Sequence, residues 1–317
     1  MSATILITPG DAAGIGPEVA LKAAAQRAAH YPLRLLGPAW LWQHAAQTLG
    51  LPLAAPVCTP AALAAFAPCG IEYGVVSAAL GRVALECVRV GAQMCLAGKA
   101  AALVTAPLSK AGLHAAGYTV AGQTDFLAEV TTTARHTMML SADALRVLLV
   151  THHQSLRSVP DALTSAAILE KIELADEVGR RLRLPQVRIA VAGLNPHAGE
   201  GGLFGDEEAR VIAPAIAAAR ARGVTASGPY EPDTIFGRAA RGAFEFVIAM
   251  YHDQGLIAVK LHGVQRCVNT TVGLPIVRTS PGHGTAYDIA GRGVADAGAM
   301  IAAIDMAAQL LTCSDTT

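Results

Sequence analysis

Three apolar stretches of this chain each end just before a histidine. LRVLLV (145–150) runs into THH (151–153), RIAVAGL (188–194) runs into NPH (195–197), and FVIAM (246–250) runs into YHDQ (251–254). Short apolar runs bounded by turn residues are typical of buried strands in a parallel sheet. Because open α/β sheets bind ligands beyond the carboxyl ends of their strands, the sequence predicts that these histidines lie at a ligand-binding edge.

Histidines arranged in this way suit a divalent metal. Three neutral imidazoles can bind one metal ion and leave coordination positions open for a substrate. The ordinary alternative is that each histidine is a surface or hydrogen-bonding residue, since histidine has many roles in loops. The chain has neither an HExxH motif nor a cysteine-rich ligand set, so the spacing matches no familiar metal motif.

Strands and helices alternate along the rest of the chain. Strand-like runs at 4–8, 34–37 and 101–105 are separated by stretches with helical spacing, such as 77–98 and 165–182. This alternation predicts an α/β fold with a mainly parallel sheet. The segment GDAAGIGPE (10–18) joins the first strand to a helix, and it is either a tight turn or a loop that a ligand approaches closely.

Composition limits the class of protein. At 317 residues the chain suits two domains. Hydrophobic residues reach 53%, yet no run of about 18 apolar residues occurs and the start lacks signal-peptide features, which favours a cytoplasmic protein without a membrane span. Zero net charge and 4% aromatic residues give little support for nucleic-acid binding.

The cysteines form no CxxC pair, which favours small core or surface residues over a metal or redox site. The six positions are Cys58, Cys69, Cys87, Cys95, Cys267 and Cys313. Low charge and high apolar content fit a chain that buries part of its surface in an oligomer.

Four motifs occur in a specific order: GDAAGIGPE (10–18), NPHAGEGG (195–202), MYHDQG (250–255) and HGTA (283–286). Together they closely resemble the 4-hydroxythreonine-4-phosphate dehydrogenase (PdxA-like) family of vitamin B6 biosynthesis, and the likeness covers essentially the whole chain. A catabolic paralogue of that family is also consistent with these motifs.

The resemblance implies a two-domain fold like that of isocitrate and isopropylmalate dehydrogenases, with mainly parallel sheets and a central cleft. The first domain would comprise 1–135 and 280–317 and carry the cofactor loop. The second would comprise 136–279 and carry the metal histidines and the dimer contacts. The family forms a homodimer whose active site draws residues from both subunits.

Residue roles carry over from the family by position. The metal ligands would be His153, His197 and His252, where Leu156-Arg157 sets the register that selects His153 over His152. The substrate contacts would be Gln123, Thr124, Lys260, Asn269 and Arg278. Lys260 and Arg278 bring positive charge for a phosphate or carboxylate, although a surface lysine and a structural ion pair are their ordinary roles.

Lys260, Asp233 or Asp253 would carry the proton, or the two aspartates would instead hold a histidine in one tautomer, and the sequence does not choose among these roles. Asp233 also fits an ordinary turn or helix cap. The segment 280–293 resembles the adenosine loop of an NAD site, although it also fits a loop leading into a helix over 295–311. Its cofactor-binding residues would be Gly282, His283, Gly284, Thr285, Ala286, Asp288 and Gly291.

One position departs from the family pattern. The family loop Gly-His-Thr-Glu reads Gly122-Gln123-Thr124-Asp125 here, so a glutamine, which cannot become cationic, replaces a histidine that touches substrate. The substrate therefore stays open among 4-hydroxythreonine 4-phosphate, a sugar acid such as 4-phosphothreonate or 4-phosphoerythronate, and an aromatic dicarboxylate dihydrodiol.

The resemblance implies an NAD-dependent oxidoreductase that acts on a CH–OH group with one divalent metal ion (Zn, Mg, Mn, Co or Ni). Coordination lowers the pKa of a bound hydroxyl, so that a modest base can remove its proton as hydride leaves carbon. The resulting β-keto acid loses CO2, which for 4-hydroxythreonine 4-phosphate leaves 3-amino-2-oxopropyl phosphate. A non-catalytic metal-binding paralogue is the alternative from another class.

Overall fold

The structure is a computed structural model that describes residues 4–119 and 122–312. The chain divides into two compact units. Unit 1 comprises Met1–Ala134 and Val268–Thr317, and unit 2 comprises Arg135–Cys267. Cys313 lies outside the described residues, so the expectation for it is not addressed.

Eleven strands occur in the described residues. They are β1 (Ile5–Thr8), β2 (Leu33–Leu36), β3 (Val57–Cys58), β4 (Ala102–Thr105), β5 (Thr137–Ala142), β6 (Leu145–Leu149), β7 (Ile189–Ala192), β8 (Ala226–Tyr230), β9 (Phe246–Ala249), β10 (Val268–Val272) and β11 (Val277–Pro281).

Twelve α-helices lie between and after these strands in the described part of the chain. They are α1 (Gly16–Arg27), α2 (Ala39–Leu49), α3 (Ala61–Ala64), α4 (Ala78–Leu96), α5 (Lys110–Ala115), α6 (Gln123–Val130), α7 (Val159–Ala162), α8 (Ser165–Arg181), α9 (Ala213–Ala221), α10 (Pro232–Ala240), α11 (His252–Gly263) and α12 (Gly298–Thr312). None is both long and apolar enough to cross a membrane.

In unit 1 the strands lie in the order β3-β2-β1-β4-β11-β10. All neighbours are parallel except β10 and β11, which form an antiparallel pair. The loops that follow β1, β4 and β11 therefore leave the same edge of the sheet. Helix α12 packs on β11, where the Thr279 hydroxyl donates to the Ala303 carbonyl over 2.7 Å.

In unit 2 the strands lie in the order β5-β6-β9-β7-β8, parallel except for the β5–β6 pair. The predicted α/β fold with mainly parallel sheets is confirmed. The central strand β9 lies between β6 and β7, so the three strands that precede the predicted metal histidines are adjacent. Sequence order alone did not indicate this adjacency, because β9 follows β7 and β8 along the chain.

The chain returns to unit 1 at Val268, twelve residues before the boundary at 280 that the sequence suggested. The physical reason is the antiparallel pairing of β10 with β11, in which Val268 faces Pro281 and Thr270 faces Thr279. Asn269 therefore belongs to unit 1 together with Arg278.

The core of unit 2 lies between its sheet and two helices. Val147 and Val247 on the strands are fully buried against Ile235 of α10 and Val259 of α11. Gly255 permits the close packing of α11, because a Cβ there would lie 2.8 Å from side-chain atoms of Val147 and Leu149. Each buried aliphatic side chain contributes about 1.5–3 kcal/mol, so this packing fixes the direction in which α11 leaves the sheet.

An ion pair fastens the start of β7 to the residue before β9. The Glu245 carboxylate accepts from Arg188 at the backbone N–H (2.7 Å), at Nε (3.1 Å) and at Nη2 (2.7 Å). Burial opposes the charge of Glu245, but the hydrogen bonds from Arg188 outweigh it and lower the pKa of this carboxyl below its ordinary value. The pair therefore stabilises the folded state only while Glu245 is ionised.

We expect Glu245→Gln to lower the free energy of unfolding by about 1 kcal/mol at neutral pH. Because the pKa of Glu245 is lowered on folding, its contribution is present above the pKa of the unfolded chain and is lost as pH falls through the folded value. The difference from wild type should therefore shrink from about pH 5 to about pH 3 in urea unfolding.

Asp206→Asn is the matched control, because Asp206 is 72% exposed where it pairs with Arg210 and should give no comparable difference at any pH. If the loss of unfolding free energy in Glu245→Gln stays constant with pH, then the shape of the Glu245 side chain, and not its charge, contributes to stability.

Candidate functional site

His153 and His252 are brought together by neighbouring parallel strands. The β6–β9 pairing continues past both strands, since Val150 N–H donates to the Ala249 carbonyl over 2.9 Å and the Thr151 hydroxyl donates to the Met250 carbonyl over 2.8 Å. The two imidazole ring centroids lie 5.9 Å apart, and the His152 ring stacks on His153 at 5.2 Å. The carboxyl end of this strand pair therefore carries adjacent imidazoles.

Asp253 holds the His252 ring in one tautomer. His252 Nδ1 lies 2.6 Å from Asp253 Oδ1, and a carboxylate oxygen can only accept, so Nδ1 carries the proton. Nε2 then keeps its lone pair, which is the state that a metal ion requires. Asp253 thus orients a predicted ligand.

His197 lies in a left-handed turn after β7. The φ angles of His197, Ala198, Gly199, Glu200 and Gly201 are 51°, 51°, 83°, 43° and 65°. A left-handed conformation costs about 1–2 kcal/mol for each residue that has a Cβ. Such a turn persists only where the surrounding structure supports it.

The support for this turn is the carboxylate of Glu208, which is 6% exposed. Its Oε1 accepts from the backbone N–H groups of Leu194 and Asn195, both at 2.8 Å, and its Oε2 accepts from Asn195 Nδ2 at 3.0 Å. Burial opposes ionisation, but these donors outweigh it and lower the pKa of Glu208. Gly199 lies so close that a Cβ would be 2.7 Å from Oε2.

Gln254 joins the loop after β9 to the loop after β7. Its Oε1 accepts from Met250 N–H at 2.6 Å, and its Nε2 donates to the Gly193 carbonyl at 2.8 Å. The sequence patterns assigned neither Gln254 nor Glu208 to the site. Both residues lie close in sequence to the histidine motifs, and that proximity could have indicated that they support the site.

The donor chemistry of this edge fits a metal ion in part. His153 and His252 are adjacent and the His252 tautomer suits coordination, yet no three His, Cys, Asp or Glu residues within 4–119 and 122–312 are gathered closely enough to hold a metal. His197 instead has its ring 6.3 Å from that of Phe204. The structure therefore brings two of the three predicted ligands together, and the third lies on the neighbouring loop.

The predicted proton carriers of unit 2 are exposed. Asp233 lies in the first turn of α10, and Lys260 lies near the end of α11. Asp253 and Lys260 are seven residues apart, so both emerge from one side of α11 about two turns from each other. The structure does not distinguish among these carriers.

Arg278 in unit 1 is a buried cation without an acidic partner among the described residues. It is 1% exposed, and its hydrogen-bond partners are neutral: Thr105 Oγ1 (2.7 and 3.1 Å), Thr271 Oγ1 (2.9 Å) and Gln123 Oε1 (2.9 Å). Burial lowers the pKa of Arg278 to about 9. A guanidinium with one of its five N–H donors unassigned and no counter-charge is suited to receive an anion.

Gln123 uses both ends of its side chain to support Arg278. Its Oε1 accepts from Arg278, while its Nε2 donates to the Ala106 carbonyl at 3.2 Å. Gln123 therefore positions the guanidinium, whereas the sequence suggested a direct contact with substrate. Thr124 is buried beside Thr271, and Asn269 faces Ser280 across the β10–β11 pair, so the predicted unit 1 contacts share one region.

The predicted cofactor loop follows β11. His283 Nδ1 lies 3.0 Å from the Gly284 carbonyl, which can only accept, so Nε2 keeps its lone pair. That Nε2 is enclosed and has no hydrogen-bond partner among the described residues. It can therefore accept a hydrogen bond from a hydroxyl or amine of a ligand. Ala286 is left-handed (φ 43°), Asp288 is exposed, and Gly291 packs so closely on Tyr73 that a Cβ would lie 2.6 Å from the ring.

The first glycine loop meets the chain's own backbone. Ile15 N–H donates to the Thr285 carbonyl over 2.9 Å, and a Cβ on Gly14 would lie 2.7 Å from that oxygen. At Gly14 the close neighbour is therefore the predicted cofactor loop of the same chain, and approach of a ligand to 10–18 stays a prediction.

These features define the class: an α/β protein with paired imidazoles in unit 2 and, in unit 1, a buried guanidinium without an acidic partner among the described residues. Residues 22–307 match the family model for the pyridoxal phosphate biosynthetic protein PdxA. A 4-hydroxythreonine-4-phosphate dehydrogenase from Beijerinckia indica is 44% identical, over 96% of this chain and 94% of the relative. A D-threonate 4-phosphate dehydrogenase from Salmonella typhimurium is 42% identical, over 97% and 98%.

The chain belongs to the PdxA family. The suspected family and the enzyme class, an oxidoreductase acting on a CH–OH group, are both confirmed. The crystal structure of a 4-hydroxythreonine-4-phosphate dehydrogenase from Klebsiella pneumoniae matches with a TM-score of 0.86 at 41% identity, over 98% of each chain.

More distant structures support the fold. A terephthalate 1,2-cis-dihydrodiol dehydrogenase from Burkholderia xenovorans matches with a TM-score of 0.70 at 29% identity, over 98% of each chain. A β-decarboxylating dehydrogenase from Thermococcus kodakarensis matches with a TM-score of 0.51 at 14% identity, over 96% of this chain and 82% of that chain. The predicted relation to the decarboxylating dehydrogenase fold is confirmed.

We expect Glu208→Ala to lower the free energy of unfolding by about 2–4 kcal/mol, because backbone N–H groups of Leu194 and Asn195 lose their acceptor. Glu208→Gln keeps one acceptor oxygen and should lose less. Hydrogen exchange followed by mass spectrometry should show faster exchange over 194–202 in Glu208→Ala.

Glu207→Gln is the control, since Glu207 accepts only from Asn195 Nδ2, at 2.7 Å, and a glutamine oxygen can replace it. Equal exchange over 194–202 in Glu208→Ala and wild type would contradict the supporting role of Glu208.

Proposed function

We propose that this enzyme oxidises a CH–OH group of a small phosphorylated acid with NAD and one divalent metal ion. The first candidate is 4-hydroxythreonine 4-phosphate, with 3-amino-2-oxopropyl phosphate and CO2 as products. D-threonate 4-phosphate is the second candidate, favoured by the 42% identity to the Salmonella relative. The observation that carries the proposal is the buried guanidinium of Arg278 without a counter-charge.

Arg278 supports an anionic substrate. A buried cation that only neutral oxygens solvate remains electrostatically unsatisfied, and a phosphate or carboxylate oxygen would supply the missing charge. Thr105, Thr271 and Gln123 hold the planar guanidinium in a fixed orientation before a ligand arrives. Preorganisation of this kind reduces the loss of side-chain entropy on binding.

His153 and His252, with His197 from the neighbouring loop, would hold the metal ion. Such an ion, when bound, acts as a Lewis acid that acidifies a substrate hydroxyl and stabilises enolate charge after loss of CO2. Asp253 Oδ1 keeps the proton on His252 Nδ1 and so leaves Nε2 as the donor atom. Glu208 keeps the His197 loop in its left-handed turn.

Proton transfer falls to side chains near the end of α11 or on α10. Asp253 already accepts from His252, so Lys260 Nζ and the Asp233 carboxylate are the better candidates for moving the proton of the substrate hydroxyl. The loop 282–291 would bind the adenosine part of NAD, where His283 Nε2 offers an acceptor.

We also propose a homodimer with a shared active site. Large apolar side chains on or just after α11 point into solvent, with Leu261 83% exposed and Ile257 59% exposed. Exposed apolar side chains on the helix that begins at His252 support the proposal that a second copy of this chain packs against them. A cytoplasmic location stays a prediction from the sequence.

The proposal predicts NADH formation by metal-loaded protein on one member of a panel. The panel comprises 4-hydroxythreonine 4-phosphate, D-threonate 4-phosphate, 4-phosphoerythronate and a terephthalate dihydrodiol, followed at 340 nm. One of the two 4-phosphates named as candidates should turn over at least about tenfold faster than the terephthalate dihydrodiol, which has no phosphate, since phosphate recognition contributes several kcal/mol. Chelator treatment should abolish that turnover.

His252→Ala should remove the activity, whereas His262→Ala, on the same helix, should retain it. Metal binding without turnover of any compound would instead establish a non-catalytic paralogue. Turnover of the dihydrodiol alone would show that the substrate is a dicarboxylate and not a phosphate ester.

We expect Gln123→Glu to remove anion binding. A carboxylate 2.9 Å from Arg278 supplies the missing counter-charge from within the protein, whereas loss of the Nε2 donor to the Ala106 carbonyl offsets the gain in stability. Inorganic phosphate should then give little further stabilisation in thermal shift measurements, although it stabilises wild type.

Gln93→Glu, on the exposed side of α4, controls for the added negative charge and should leave the phosphate effect unchanged. The same phosphate-induced shift in Gln123→Glu and wild type would contradict the assignment of Arg278 as the anion receptor.

A further inference from the structure

Asp11 is a buried carboxyl group that the proposed chemistry does not use. It is 1% exposed, and its hydrogen-bond partners are the Ala13 N–H at 2.9 Å and the Tyr287 hydroxyl at 2.5 Å. Burial raises the pKa of Asp11, and burial together with this contact raises the pKa of Tyr287 to about 12. The Asp11 carboxyl group is thus enclosed and held by two donors.

Tyr287 joins three loops of unit 1. Its hydroxyl reaches Asp11, in the loop after β1, and the Ser109 side chain, in the loop after β4, while Tyr287 itself lies in the loop after β11. Those three strands are parallel, so their loops leave one edge of the sheet. A single phenol group thus ties together the connections at that edge.

The backbone around Tyr287 needs such an anchor. Ala286, directly before it, has φ of 43°, a left-handed conformation that costs a residue with a Cβ about 1 kcal/mol or more. The neighbouring hydrogen bond from Ile15 N–H to the Thr285 carbonyl fixes the other side of Ala286. Without the Tyr287 hydroxyl bond, one of the two attachments that hold this conformation would be lost.

We propose that Asp11 and Tyr287 are positioning residues that hold the loop 282–291 in the conformation that binds the nucleotide cofactor. This inference rests on the proposed use of NAD. The pair touches neither substrate nor reacting atoms. The pair raises the fraction of molecules whose cofactor loop is in the binding conformation. The apparent Kd equals the intrinsic Kd divided by that fraction, so a larger fraction gives tighter binding.

Unit 1 contains a second tyrosine beside a carboxylate. Burial and the neighbouring Asp305 raise the pKa of Tyr31, and Asp305 pairs with Arg27 at the end of α1. Asp305 is more exposed than Asp11 and has a cationic partner, and the Tyr31–Asp305 contact lies beyond the opposite end of α1 from the loop 10–15. It therefore separates a general loss of stability from a specific effect on the cofactor loop.

The test compares Tyr287→Phe, Tyr31→Phe and wild type. Each variant removes one oxygen and leaves the ring in place. Tyr287→Phe should weaken NADH binding, measured by fluorescence titration, about three- to tenfold, as loss of one hydrogen bond to a charged group predicts. KM for NAD should rise by the same factor with kcat nearly unchanged, and exchange over 282–291 should accelerate in the cofactor-free protein.

Tyr31→Phe should match wild type in all three measurements. Asp11→Asn should weaken NADH binding less than Tyr287→Phe does, and the double variant should be no weaker than Tyr287→Phe, because both substitutions act on one contact. Unchanged NADH affinity and loop exchange in Tyr287→Phe would overturn the positioning role while the proposed function stands. Absence of NADH binding by wild type would overturn the proposed function, and this inference with it.

Discussion

Parallel strand order is the constraint on which the candidate site depends. Because β6, β9 and β7 are adjacent and parallel, three loops from distant parts of the chain leave one edge of unit 2. The same rule applies in unit 1 to β1, β4 and β11. The predicted site residues then need no special sequence spacing, since the sheet determines which loops meet.

Three buried ionisable groups have neutral hydrogen-bond partners among the described residues. Arg278 is surrounded by neutral oxygens, Asp11 by a tyrosine and a backbone N–H, and Glu208 by amide donors. Each group is held in place by hydrogen bonds rather than neutralised by an ion pair. This pattern supports the proposed roles of Arg278 in anion binding and of Asp11 and Glu208 in holding strained loops.

Hydrophobic periodicity and the order of the motifs were sufficient to predict the fold class, the family and the strand that precedes each histidine. They did not reveal that β9 lies between β6 and β7, because strand order depends on long-range packing. Nor did they assign Glu208, Gln254 or Tyr287, whose contacts cross between loops far apart in sequence. Gln123 was noticed as a departure, but only its hydrogen bonds to Arg278 and Ala106 gave it a positioning role.

The discontinuous course of unit 1 has a consequence for its assembly on the ribosome. Strands β11 and β10 are made last, yet β11 pairs directly with β4. Until residues 268–281 emerge, β4 has one unpaired edge, and three of its four residues are apolar. Exposed strand edges of this kind recruit other chains, so synthesis of the intervening 135–267 is the interval in which this protein is most prone to aggregate.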